Sequence, residues 1–204
     1  ENLDSFVRVS SCLKACAVNL SKMCNDLRIL ASGPKAGFGE ITLPAMQNGS
    51  SIMPGKVNPV IPEVVSQVAF HIIGHDTTIT MAAEAGQMEL NAFEPVIFYN
   101  LFDSIATLTH AVSTLTENCI LGITANEERC HELLDASVGI TTALCPYIGY
   151  KKPASLAKES LATDVPVKKL VLKYHLLKEQ ELDAILDPYR MTEARGEGVH
   201  SKAV

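Results

Sequence analysis

The chain has 204 residues, 47% of them hydrophobic, with 23 acidic side chains against 17 basic ones and a formal net charge of −6. That length supports one substantial core, or one core with a small appended unit, and the acidic balance without any basic block excludes a surface built for nucleic acid or anionic membrane. No apolar stretch is long enough to cross a bilayer, and six cysteines without a Cys-x-x-Cys pair read as reduced thiols of a cytoplasmic protein.

The chain opens at Glu1-Asn2-Leu3-Asp4, without methionine and at the edge of a helical pattern, which gives the expectation of a fragment. Leu13, Cys16, Ala17, Leu20, Cys24, Leu27 and Ala31 recur at spacings of three and four and predict a helix over residues 3–31. Cys12 and Cys16, one turn apart, are expected to pack in the core. Ser32-Gly33-Pro34 ends the pattern, and no period survives to Pro59. An irregular segment of that length is uncommon unless it is functional or disordered.

A second helix is predicted from about Pro62-Glu63, with Val64, Val65, Val68, Ala69, Ile72 and Ile73 as its apolar face. His71 and His75 stand one turn apart on it; no third ligand is evident in the sequence, so they are read as a surface-facing pair and no metal site is assigned. After Gly86 the apolar pattern restarts as Leu90, Phe93, Ile97, Leu101, Ile105, Leu108, Val112 and Leu115, a near-heptad seam that wants partner helices, with Pro95 near its start to kink or begin the third helix. Beyond Gly122 the texture shortens to amphipathic pieces over residues 125–136, 138–162, 166–177 and 179–186, and the tail from Met191 has no apolar period. No strand run stands out. The expected fold is therefore all-α: residues 1–122 part of a long-helix bundle with an irregular loop at 31–59, residues 123–192 a small helical domain, and residues 193–204 a mobile tail.

The chemistry concentrates in Gly49-Ser50-Ser51-Ile52-Met53-Pro54-Gly55-Lys56-Val57-Asn58-Pro59. Two glycines and two prolines rule out a regular helix or strand, so hydroxyls, a cation and an amide are presented from a loop. Lys56 and Asn58, a point charge and a neutral donor/acceptor, form a natural pair for gripping a carboxylate, with a hydroxyl nearby as nucleophile or proton acceptor. The plainer alternative is a Gly/Pro/Ser turn with an exposed lysine.

This string resembles the signature of the aspartase/fumarase superfamily of lyases. The likeness extends to the glycine-rich approach Ser32-Gly33-Pro34-Lys35-Ala36-Gly37-Phe38-Gly39-Glu40-Ile41, and to Thr116-Glu117-Asn118-Cys119-Ile120-Leu121-Gly122-Ile123 and Pro146-Tyr147-Ile148-Gly149-Tyr150. Asp76-Thr77-Thr78-Ile79-Thr80-Met81-Ala82-Ala83-Glu84-Ala85-Gly86-Gln87 looks like the aspartase branch. Lys35 departs from the usual arginine and Cys145 from the usual asparagine. The resemblance implies a carbon–nitrogen lyase that releases fumarate from L-aspartate, with Ser50 as general base, Ser51, Lys56 and Asn58 at the substrate, and Glu63 orienting a histidine from another subunit. Glu63 also reads as an ordinary carboxylate at a helix N-terminus. The same resemblance implies a homotetramer with shared active sites, no required cofactor, and magnesium at most as an activator. It places further substrate-binding segments upstream of residue 1, so the 204 residues alone are expected to be inactive. Class II fumarase is the alternative within the superfamily; a non-catalytic oligomerisation module, like the lens crystallins, is the alternative outside catalysis.

Overall fold

The structure, a computed structural model, describes residues 2–33, 35–47, 49, 52–53 and 55–192. The expected loop base Ser50, its neighbour Ser51 and the tail 193–204 lie outside the described residues. The chain forms two compact units, Glu1–Asn126 and Glu127–Val204.

Three long helices make the first unit: α1 (Asp4–Leu30), α2 (Val60–Glu84) and α3 (Glu94–Asn118). Their apolar positions meet in three layers. Leu3 joins Ile79, Ala82, Ile97 and Leu101 at one end; Ala17 joins Ala69, Ile72 and Leu108 in the middle; Cys24 joins Val65, Ala111, Leu115 and Cys119 at the other end. The order of these layers makes α2 antiparallel to both α1 and α3. On α1 the buried positions are the small residues Ser10, Ala17, Ser21 and Cys24, which let neighbouring helices approach closely. Because the buried line runs through Ala17 and Cys24, Cys12 and Cys16 point away from it and are exposed, contrary to the core position expected for them.

Among the described residues of this unit, one charged side chain is buried. Asp76 of α2 is 4% exposed and accepts from Ser10 Oγ at 2.7 Å and from Lys14 Nζ at 2.5 Å, with Ser11 Oγ at 3.4 Å. Desolvation pushes its carboxyl up, but the bonds from Lys14 and Ser10, the lysine charge and Ser11 outweigh that and hold its pKa below the ordinary value. The α2–α3 turn is tied by Asn91, whose Nδ2 donates to Ala82 O at 2.9 Å while its Oδ1 accepts from Phe93 N at 2.7 Å.

A two-stranded antiparallel ladder, β1 (Ile41–Thr42) with β2 (Thr124–Ala125), closes the end of the unit where the irregular segment starts. The sequence gives no strand signal for pairs this short. Because β2 hydrogen-bonds back to β1, the first unit runs past Gly122 to Asn126.

The second unit holds α4 (Glu127–Ala136), α5 (Thr141–Ile148), α6 (Lys151–Thr163), α7 (Val167–Lys173), α8 (Glu179–Ile185) and α9 (Pro188–Thr192). Its core is Ile140, Leu144, Leu156, Val167, Leu170, Val171 and Leu182. The single helix expected over 138–162 is broken: Val138–Ile140 is a short 3-10 turn, and Gly149, at φ 75°, separates α5 from α6. Met191 and Thr192, where the apolar period has already faded, end α9.

Candidate active site loop

The segment between α1 and α2 is anchored before it reaches the signature run. Glu40 N donates to Leu30 O at 2.9 Å, and Phe38 N donates to Ser32 Oγ at 3.2 Å. A Cβ at Gly37 would lie 2.5 Å from the Ser32 carbonyl oxygen, so only glycine permits this fold-back. From the far side Asn126 clamps the same strand: its N donates to Glu40 O at 2.8 Å, its Nδ2 donates to Gly39 O at 2.7 Å, and its Oδ1 accepts from Thr42 Oγ1 at 3.0 Å. Sequence reasoning missed Asn126, because an asparagine beside a short strand carries no local sign of what it will hold.

The signature run then folds on itself. A Cβ at Gly49 would stand 2.2 Å from the Lys56 carbonyl oxygen, so the two limbs of the loop touch backbone to backbone. Gly55 takes φ 81°, and Lys56 N donates to Met53 O at 3.2 Å. Those contacts bring residue 49 beside residue 56, the two ends of the stretch that contains Ser50 and Ser51. Lys56 is exposed and Asn58 half-buried. Val60 N donates to Asn58 O at 2.9 Å and Glu63 N donates to Pro59 O at 3.1 Å, so Asn58 and Pro59 lead directly into α2. Helix α2 therefore starts slightly before the expected Pro62-Glu63.

Glu63 occupies the first turn of α2, where a carboxylate complements the helix dipole. It also faces Arg28 of α1, Nη2 to Oε1 3.7 Å, both side chains partly exposed. Both readings of Glu63 thus remain compatible with its position.

Away from the loop, His71 and His75 do not form the plain surface pair expected. His75 is 12% exposed at its side chain, and Asp103 of α3 approaches both rings. Antiparallel pairing of α2 and α3 supplies this third group, which no sequence spacing could reveal. Among the described residues no helix is long and apolar enough to cross a membrane.

A lyase family model matches residues 1–74 and the fumarase C C-terminus model matches residues 140–193, so two separate stretches of the chain are similar to lyases of the fumarase type. The chain is 55% identical over 192 residues to an aspartate ammonia-lyase of a Bacillus species, covering 94% of this chain and 41% of that protein. It is 54% identical over 191 residues to the aspartate ammonia-lyase of Helicobacter pylori strain 26695, again covering 94% of this chain and 41% of the relative. The chain thus spans about two-fifths of the length of the curated relatives it matches. Among solved structures, a fumarate lyase:delta crystallin of Brucella melitensis, crystallised bound to cobalt, superposes with a TM-score of 0.89 at 50% identity, covering 95% of this chain and 42% of that one. A class II fumarase of Schistosoma mansoni superposes at 0.85 with 35% identity, covering 93% and 40%.

Proposed function

We propose that this chain carries the base-bearing loop of an aspartate ammonia-lyase, which reversibly eliminates ammonia from L-aspartate to give fumarate. The observation behind the reading is the 55% identity to an aspartate ammonia-lyase across 192 residues, against 35% to a class II fumarase. In the reaction Ser50 Oγ, ionised, takes a proton from Cβ beside the β-carboxylate. The electron pair left on Cβ is held in that carboxylate as a dianion, then forms the Cα–Cβ double bond as the Cα–N bond breaks and ammonia departs. A serine hydroxyl is a weak base at neutral pH, so nearby cations and N–H donors must favour its alkoxide while the loop excludes water. Lys56 and Asn58 grip the substrate carboxylate, and donors aimed at the charge that develops there supply much of the rate. Ser51, next in the sequence to Ser50, supports the substrate. Glu63 orients a histidine contributed by another subunit.

No cofactor is required by this chemistry, and magnesium enters only as an activator. The reading includes a cytoplasmic homotetramer, supported by large apolar side chains left on the outer faces of the helices: Val9 and Val18 of α1, Phe70 of α2, and Tyr99, Ile105 and Val112 of α3. The test is ultraviolet detection of fumarate from L-aspartate, with L-malate in parallel, for the 204-residue chain and for a chain extended to the length of its relatives. Aspartate turnover by the extended chain, reduced about 10²–10⁴-fold in Ser50→Ala with its oligomer intact, is the expected result. Fumarate from malate alone would make the protein a fumarase; none from either substrate would leave an oligomerisation module.

A further inference from the structure

The His71–His75–Asp103 cluster lies on α2 and α3, away from the loop chemistry. His71 Nε2 is 3.2 Å from Asp103 Oδ2, and His75 Nδ1 is 3.7 Å from the same oxygen. One ligand atom from each residue falls within 4.8 Å of the others, and the two imidazole centroids are 3.9 Å apart at 57°. We propose that these three side chains form a binding site for a divalent transition metal of the zinc class, which ties α2 to α3.

The geometry is the first argument. Metal–nitrogen and metal–oxygen bonds near 2.0–2.2 Å in a tetrahedron place neighbouring donor atoms about 3.3–3.5 Å apart. The two imidazole–carboxylate separations bracket that edge within a few tenths of an ångström, so an ion needs little rearrangement of either helix. Rigidity is the second: all three ligands stand on long helices, two of them at the i, i+4 spacing that puts side chains on one face. The setting of His75 shows what binding must exchange: its Nδ1, the nitrogen nearer Asp103, meets Ser104 Oγ at 3.0 Å, which itself donates to Asn100 O at 2.7 Å, so this contact gives way to the ion.

The donor set also selects the ion. Two imidazoles and one carboxylate suit zinc, cobalt or nickel, whereas magnesium and calcium prefer oxygen throughout. His71 is 56% exposed at its side chain, so an ion can enter from that side and keep water in its remaining positions. Neither Ser50 nor Lys56 takes part, so the site stands or falls independently of the lyase reading.

The test titrates the tag-free chain, stripped with EDTA, with Co²⁺ alone and then Mg²⁺ alone, reading visible cobalt absorption and the melting temperature. The expected result is saturable binding of one Co²⁺ per chain with a rise in Tm, no binding of Mg²⁺, and affinity at least about tenfold weaker in His75→Ala and in the near-isosteric Asp103→Asn. His110→Ala and His131→Ala should bind as the parent does, and circular dichroism of each metal-free variant shows that it folds. Absence of saturable Co²⁺ binding by the parent, or undiminished binding in folded Asp103→Asn, would overturn the proposal.

Discussion

Cys24 shows how a single side chain records the packing around it. It is fully buried where α1 meets α2 and α3, and burial first, then the nearby Cys119, push its thiol up to about 11 against the opposing pull of Arg28. An unfolded cysteine ionises near about 8.5. The raised folded value means that the contribution to stability is fully present below about 8.5 and is lost as pH rises through about 11. Denaturant unfolding followed across that alkaline window should show a falling free energy, and Cys24→Ala, weaker at neutral pH by about 1 kcal/mol through its cavity, should fall less steeply. A parallel slope in the two proteins would show that other groups carry the alkaline loss. At this same scale the sequence named some residues of the candidate sites and hid others. Lys56, Asn58 and Glu63 stand in one short contiguous stretch whose residue types speak for themselves. Asn126 and Asp103 do not, because each acquires its role from a segment far away in the chain, and only folding brings Gly39 or His75 to it.

At the scale of elements, the long helices were readable because apolar positions at spacings of three and four are a repeated signal that a single odd residue cannot erase. The short elements were less so: Gly149 interrupts a continuous amphipathic pattern by its backbone alone, and β1 and β2 are two residues each. The signature loop belongs to neither class, since its shape depends on two close backbone approaches. Gly49→Ala tests this directly, as the added methyl would sit 2.2 Å from the Lys56 carbonyl oxygen and force the limbs apart. In the extended chain, aspartate turnover should drop by about 10²-fold or more, the loss expected when reacting groups are displaced by about 1 Å. The Tm should stay near that of the parent, because the loop lies outside the three apolar layers. A matching loss of thermal stability would mean that Gly49 supports the bundle, whereas full turnover would remove the loop from the reaction.

For the whole molecule, the first unit has more apolar helix surface than three helices can cover. The third-helix seam divides: Ile97, Leu101, Leu108 and Leu115 are buried against α1 and α2, while Ile105 and Val112, seven residues apart, remain outside at 42% and 41% exposure. A heptad-spaced outer pair is what a partner helix would engage. Val18 of α1 and Phe70 of α2 are likewise outside. If copies of the chain cover these faces, each buried side chain is worth about 1.5–3 kcal/mol, repeated in every subunit. Ile105→Asp combined with Val112→Asp should then lower the solution mass measured by light scattering to that of a smaller species. Helical circular dichroism should persist, since the inward half of α3 is untouched. An unchanged mass in the double variant would show that this face is not the interface, and a parent already monomeric would show that the 204 residues leave it open; the shared-site reading of Glu63 would then have to be tested in the extended chain, where the same substitutions should reduce aspartate turnover together with assembly.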